Sequence, residues 1–354
     1  MATKPTISDV AARAGVSKGA VSFALNGRPG VSPETRDRIL QAAEDIGFTA
    51  NSSARALANR RSGNLGLVMA RSHETLGSDP FFPPFIAGIE SAVAPSGVFL
   101  LVRLVDNQDA ETEAYQELAS TGRVDGVFLT DLRIDDPRPA LLDKLGLLSV
   151  TLNRPLVPCK APAICVDDGP AVRDAVRHLV GLGHRSIAHV GGPPTYLHAA
   201  HRRQVWADAL DESGLPQSLI IETDFSAAGG AAATKELLDR PDRPTAILYA
   251  NDLMAVAGLS VARQRDIRVP QDISVIGFDD GEISAYLPTP LTTVRTDVYG
   301  WGRAAATALQ ARVLGEQVAD IDLPAAQLVV RESTGPAPVR RHRRTRRTAP
   351  TANP

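Results

Sequence analysis

Between residues 64 and 278 the chain alternates short apolar runs with longer amphipathic ones, and this rhythm restricts the fold more than any other feature. The apolar runs at 65–70, 98–104, 126–130, 147–152, 187–191, 246–250 and 274–278 have strand length. Amphipathic stretches such as 85–93, 171–182, 205–213 and 253–264 lie between them. Strand and helix in alternation imply βαβ units, hence parallel sheets covered by helices, and two such sheets fit the length. At 354 residues the chain exceeds one ordinary core, and 44% hydrophobic with 22% charged residues is the balance of a globular protein. No apolar run approaches the ~18 residues of a membrane span, and residues 1–4 lead into polar sequence without a signal-peptide core. A cytoplasmic protein without membrane contact is expected.

The first sixty residues follow a different pattern. Thr6-Ile7-Ser8-Asp9 reads as a capping box, and Ile7, Val10, Ala11 and Ala14 then recur on one helical face. Gly15 supplies a turn, and Ser17 can cap a second helix on which Val21 and Leu25 form the apolar side. Lys18, Gly19, Ser22 and Phe23 are left facing outward. Ser32-Pro33-Glu34 opens a third helix with Ile39, Leu40, Ala43 and Ile46 on one face and Gly47 as terminator. Charge is divided accordingly. Residues 1–61 hold nine Lys/Arg against five Asp/Glu, a net +4, and 340–347 holds six arginines and no acid. A formal total of −2 then leaves −12 for the body between these ends, the asymmetry expected when one end meets a polyanion.

Thr6-Ile7-Ser8-Asp9-Val10-Ala11, Ala14-Gly15-Val16-Ser17, Ala20-Val21-Ser22, Leu25-Asn26-Gly27 and Val31-Ser32-Pro33-Glu34-Thr35-Arg36 together resemble the N-terminal signature of the lactose-repressor/galactose-repressor (LacI/GalR) family. Leu182-Gly183-His184, the run 270–280 and Leu291-Thr292-Thr293-Val294 extend the similarity into the body, to about Arg331. The resemblance implies an all-α helix-turn-helix headpiece joined to a two-lobed, periplasmic-binding-protein-like α/β core with parallel sheets. The expected units are a headpiece at 1–50, a hinge helix or linker at 51–62, an effector-binding and dimerisation core at 63–334, and a disordered Arg-rich tail at 335–354.

By the same resemblance the chain is a sequence-specific transcriptional regulator, expected to repress, that acts as a homodimer on palindromic double-stranded DNA. Lys18 and Gly19 would meet base edges, Thr6, Ser17, Ser22 and Asn26 would support the DNA contact, and Phe23 would sit one turn further along the recognition helix. Many relatives carry Arg at the position of Phe23. Phe cannot make the bidentate guanine contact of Arg, although its ring can pack on a thymine methyl. In the hinge, Asn51 is a possible cap and Ala54 one of its small residues. Leu57 is isolated among small and basic residues and matches the family leucine that wedges into the minor groove. Composition alone reads the same stretch as a solvated linker.

Polar residues cluster after the apolar runs, where open α/β sheets bind ligands: Asn153-Arg154, Asp167-Asp168, Asn251-Asp252 and Asp279-Asp280. The resemblance assigns Arg154, Asp168, Arg202, Asn251 and Asp279 to an effector cleft, with Phe81, Phe82 and Phe225 as its apolar walls. Such a set suits a polyol, since carboxylates, an amide and a guanidinium serve hydroxyls and a ring packs on a sugar face. A purine-like effector stacking on the rings is the alternative, and core packing is as good a role for Phe81 and Phe82. Val205, where relatives often have Gly, would reshape the pocket near Arg202. No GxGxxG, P-loop or HExxH pattern occurs, so neither an enzyme nor a cofactor is expected. Cys159 and Cys165 lack metal-ligand spacing, and His178, His184 and His189 offer no metal site. A transport-type solute-binding protein is the remaining alternative, and the attached headpiece argues against it.

Overall fold

The computed structural model describes residues 5–25, 29–48, 61–71 and 79–339. Asn26, the hinge residues Asn51, Ala54 and Leu57, and the arginines of 340–347 lie outside these.

The headpiece is three helices, α1 (Ile7–Ala14), α2 (Lys18–Leu25) and α3 (Pro33–Asp45). Each begins where a side chain can take an orphan amide or bind back to it. Asp9 accepts the Thr6 amide at 2.7 Å and the Thr6 hydroxyl at 2.7 Å, Ser17 Oγ accepts Ala20 N at 3.1 Å, and Ser32 Oγ accepts Thr35 N at 3.3 Å. Gly15 and Gly47 follow α1 and α3 with φ of +67° and +65°. Val10, Ala11, Ala14, Val21, Ala24, Ile39, Ala42 and Ala43 form the small core. The expected α3 face is corrected here: Leu40 is 45% exposed, and Ala42 takes its place inside. Leu40 lies a full helical step from Ile39, and so small a bundle covers only the stripe through 39, 42, 43 and 46.

The body has two sheets, each parallel throughout. One, in order β11-β5-β4-β3-β1-β2, joins β1 (Asn64–Ala70), β2 (Phe99–Val105), β3 (Gly126–Leu129), β4 (Leu148–Leu152), β5 (Ala163–Cys165) and β11 (Ile321–Asp322). Helices α4 (Phe82–Val93) and α11 (Val298–Leu314) cover one face, α5 (Gln108–Thr121) and α6 (Arg138–Leu145) the other. The second lobe has order β7-β6-β8-β9, from β6 (Ile187–Gly191), β7 (Ile220–Glu222), β8 (Ala246–Tyr249) and β9 (Ser274–Ile276). It packs α7 (Gly169–Gly181) and α8 (Leu197–Glu212) on one side, α9 (Ala227–Asp239) and α10 (Asp252–Gln264) on the other. A short antiparallel pair, β10 (Thr293–Arg295) with β12 (Gln327–Val329), completes it. The chain passes between the lobes near 165–169, 295–298 and 322–327.

Two expectations shift. Helix α8 starts at Leu197, eight residues before the amphipathic run at 205–213, because its first turns carry polar residues toward the cleft rather than the core. The core also continues beyond 334: Gly335 N donates to Ser274 Oγ at 3.1 Å and Ala337 N to Leu182 O at 2.8 Å. No described helix is long and apolar enough to cross a membrane.

Candidate functional site

Both sheets direct the carboxyl ends of their strands at a common cleft of about 680 Å³, within the range of small-molecule sites. From the first lobe come Arg71 after β1, Asp131 after β3 and Asn153-Arg154 after β4. The second contributes His198, His201 and Arg202 of α8, Asn251 after β8 and Asp279 after β9, while Asp167-Asp168 arrive on the crossing out of β5.

The charges in this cleft are arranged in pairs. Arg71 grips Asp131 with two hydrogen bonds of 2.7 Å and reaches Asp79 at 2.8 Å. Its guanidinium also lies 5.6 Å from the Phe225 ring and 5.7 Å from Tyr196, both in the opposite lobe. Arg202 donates to Asp168 at 2.6 Å and stacks 3.5 Å over Phe278. Arg154, half-exposed at the rim, pairs with Asp320 at 3.1 Å and Asp322 at 2.9 Å. Carboxylates outnumber guanidiniums. Burial, with Asp252 and Asp79 nearby, holds the Asp279 carboxyl well above its ordinary value, and burial also raises Asp79 despite Arg71. Burial also pushes Asp131 upward, but the Arg71 charge and hydrogen bonds outweigh it, and the net direction is down. Desolvation, with Arg202 beside it, depresses half-buried His198 to about 4, so it is neutral near pH 7.

Aromatic rings form the apolar walls. Phe81 meets Trp301 edge-on at 5.8 Å, and the Trp301 indole donates to Ile164 O at 2.8 Å. Phe225 stacks with His198 at 5.5 Å, in a position that only glycine at 192 permits, since a Cβ there would lie 2.0 Å from the ring.

Phe81, Arg154, Asp168, Arg202, Phe225, Asn251 and Asp279 thus all line the cleft. Phe82 does not: it is 2% exposed and packed into the first-lobe core, because α4 turns it toward the sheet. Val205 is buried between α7 and α8 and is not in the cleft wall. Asn251 already caps α10, accepting Met254 N at 2.8 Å, and donates to Phe225 O at 2.9 Å. Sequence reasoning passed over Arg71, Asp79, Asp131, His198, His201 and Trp301. Arg71 and Asp131 follow apolar runs and obey the same strand-end rule. Asp79 and Trp301 have no local signal. Asp167, Asp168 and His201 lie close enough to share a cation, but Arg202 already occupies Asp168.

In the headpiece, Lys18, Gly19 and Phe23 are exposed at one side of α2, Ser22 is half-buried, and Thr6 and Ser17 are at helix starts. The Phe23 ring is directed at the loop following α2, 3.4 Å from where a Cβ on Gly30 would sit.

Residues 6–51 match the profile described as bacterial regulatory proteins, lacI family, and residues 176–334 match a periplasmic binding protein-like domain. The transcriptional regulator CelR of Thermobifida fusca is 35% identical over 335 residues, 93% of this chain and 98% of that protein. The chain belongs to the LacI family. Another member, the repressor CytR of Escherichia coli (strain K12), is 31% identical, covering 95% of this chain and 98% of its own. Among solved LacI-family structures, a CelR–cellobiose complex has 33% identity and a TM-score of 0.71, covering 93% of this chain and all of the other. The lac repressor dimer bound to operator and an anti-inducer, ONPF, has 29% identity and a TM-score of 0.82, covering 94% of this chain and all of the other. As a LacI-family member the chain is a DNA-binding transcriptional regulator.

Proposed function

We propose that this regulator is a repressor whose operator affinity is set by an uncharged sugar held between the two lobes. The observation that carries this is the pairing of every arginine in the described cleft wall with a carboxylate. With Asp279 and Asp167 outside those pairs, the described cleft wall offers many hydroxyl partners but no unpaired arginine for a phosphate or carboxylate ligand. Phe81 and Trp301 provide ring surface for a sugar face. The CelR relative solved with cellobiose supports the sugar class. The purine alternative is less well served, because Phe225 is already stacked on His198 and lies beside Arg71.

The chain acts as a cytoplasmic homodimer on a palindromic operator, with residues 1–50 reading DNA through Lys18, Gly19 and Phe23, 51–62 linking, and the core from 63 sensing. Leu57 is the proposed wedge. The exposed apolar edge of β2, with Phe99 67% exposed beside Leu101, Val102 and Leu104, supports self-association. A duplex selected in vitro by the full chain, titrated by gel shift against neutral mono- and disaccharides and their phosphate esters, provides the test. A neutral sugar should change affinity at least ~10-fold, a typical coupling between two sites, and its phosphate ester should not. Equal response to the phosphate ester, or none to any sugar, argues against this function.

A further inference from the structure

Strands β1 and β3 run side by side in parallel register, Leu65 opposite Gly126, Gly66 opposite Val127 and Leu67 opposite Phe128. They are joined at both ends by side-chain bonds. At the cleft end, the Arg71 fork holds Asp131 by two bonds of 2.7 Å. At the other, where the chain arrives from the headpiece, the Asp125 carboxylate accepts the backbone amides of Ser62 at 2.6 Å and Gly63 at 2.8 Å. Two successive amides converging on one anion form a nest, and Gly63 meets its demand for positive φ with +72°. Asn64 adds to the grip, its side chain donating to Arg123 O at 2.9 Å and its carbonyl accepting Asp125 N at 2.8 Å.

Between the ends the pair has little room to yield. Leu65, Leu67, Val68, Val127, Phe128 and Leu129 are buried, and a Cβ on Gly66 would press within 3.1 Å of Val127. Close-packed interiors transmit displacement instead of absorbing it. Six residue steps separate Asp125 from Asp131, roughly 20 Å of strand. Arg71 meanwhile touches the second lobe through Tyr196 and Phe225, so a change in the angle between the lobes acts directly on the cleft end of the pair.

We propose that the β1–β3 pair is the link by which the state of the cleft reaches the chain leading to the headpiece, with Asp125 as the positioning residue at its far end. Asp125 touches neither DNA nor effector in this scheme. It sets the direction in which the chain leaves the core.

Hydrogen exchange on the full-length protein tests the link without operator or effector. Asp125→Asn should speed exchange at Ser62 and Gly63 by about tenfold, the scale of a lost charge-assisted hydrogen bond. Asp131→Asn, at the opposite end, should do the same, while β6 in the second lobe keeps its protection. Unchanged exchange at 62 and 63 in Asp131→Asn overturns the link, and unchanged exchange in Asp125→Asn overturns the anchor. If Asp131→Asn also loosens β6, Arg71→Lys replaces it, keeping the charge while losing the fork. A second readout rests on the regulator function: Asp125→Asn should weaken binding to the selected duplex about tenfold at an unchanged thermal midpoint, with recovery in Asp125→Glu. If the wild type binds no duplex, the regulator function fails while the exchange result still decides the link.

Discussion

Asp279 shows how a carboxyl placed in the cleft can act against stability. Its carboxyl is desolvated, with Asp252 and Asp79 nearby, and its ionised form is disfavoured. Between the ordinary carboxylate value and its raised one, the folded chain binds a proton that the unfolded chain has released. Wild-type stability attributable to this group is therefore present at low pH and lost as pH rises through the folded value. Asp279→Asn removes the dependence. Thermal unfolding followed across pH should show the variant more stable at neutral pH, with the advantage shrinking as pH falls toward 4. A destabilised variant at pH 7 would contradict the account. The same substitution should abolish the sugar response if Asp279 holds the effector.

At the scale of elements, the contact between α4 and α11 sets the wall that carries Phe81 and Trp301. The helices meet backbone to backbone: a Cβ on Gly88 would lie 2.1 Å from Tyr299 O, and one on Gly302 2.2 Å from Phe85 O. Only glycine fits such a crossing. Gly302→Ala must force the helices apart, and overpacking of this kind costs about 1–3 kcal/mol, readable as a lower urea midpoint at constant slope. Trp301 should shift with the helix, so its fluorescence should change in the folded variant. The glycines at 88 and 302 are visible in the sequence, but their opposition is not, because more than two hundred residues separate them. The headpiece helices are the opposite case. Asp9, Ser17 and Ser32 act within a turn of their own position, so the helix starts are legible locally.

For the whole molecule, self-association and DNA binding should be coupled. Two headpieces on one palindrome bind with an effective concentration that a single headpiece lacks. Phe99→Asp on the exposed β2 edge should convert dimer to monomer in sedimentation velocity at micromolar concentration. It should also weaken operator binding by about a hundredfold or more, leaving the proposed sugar binding in the cleft intact. Retention of both dimer and operator affinity would remove β2 from the interface. The acidic body and basic headpiece give the molecule a polarity that the overall charge of −2 conceals, and operator affinity should accordingly fall with salt.

By itself the sequence determined the short-range features: caps and turns of the headpiece, the strand–helix alternation, and the polar residues that follow the strands. Each depends on neighbours a few positions away, where hydrogen bonds and helical or strand periodicity act directly. Only the tertiary structure decided which of these strand ends share a cleft. It brought Arg71 to Asp131, Trp301 to Phe81 and Arg202 to Asp168, and it sent Phe82 and Val205 into the cores instead. It also set the protonation of Asp279 and His198, since burial and opposing charge depend on groups brought together from distant parts of the chain. Those long-range juxtapositions follow from the packing of two sheets and their helices, and no window of sequence contains them.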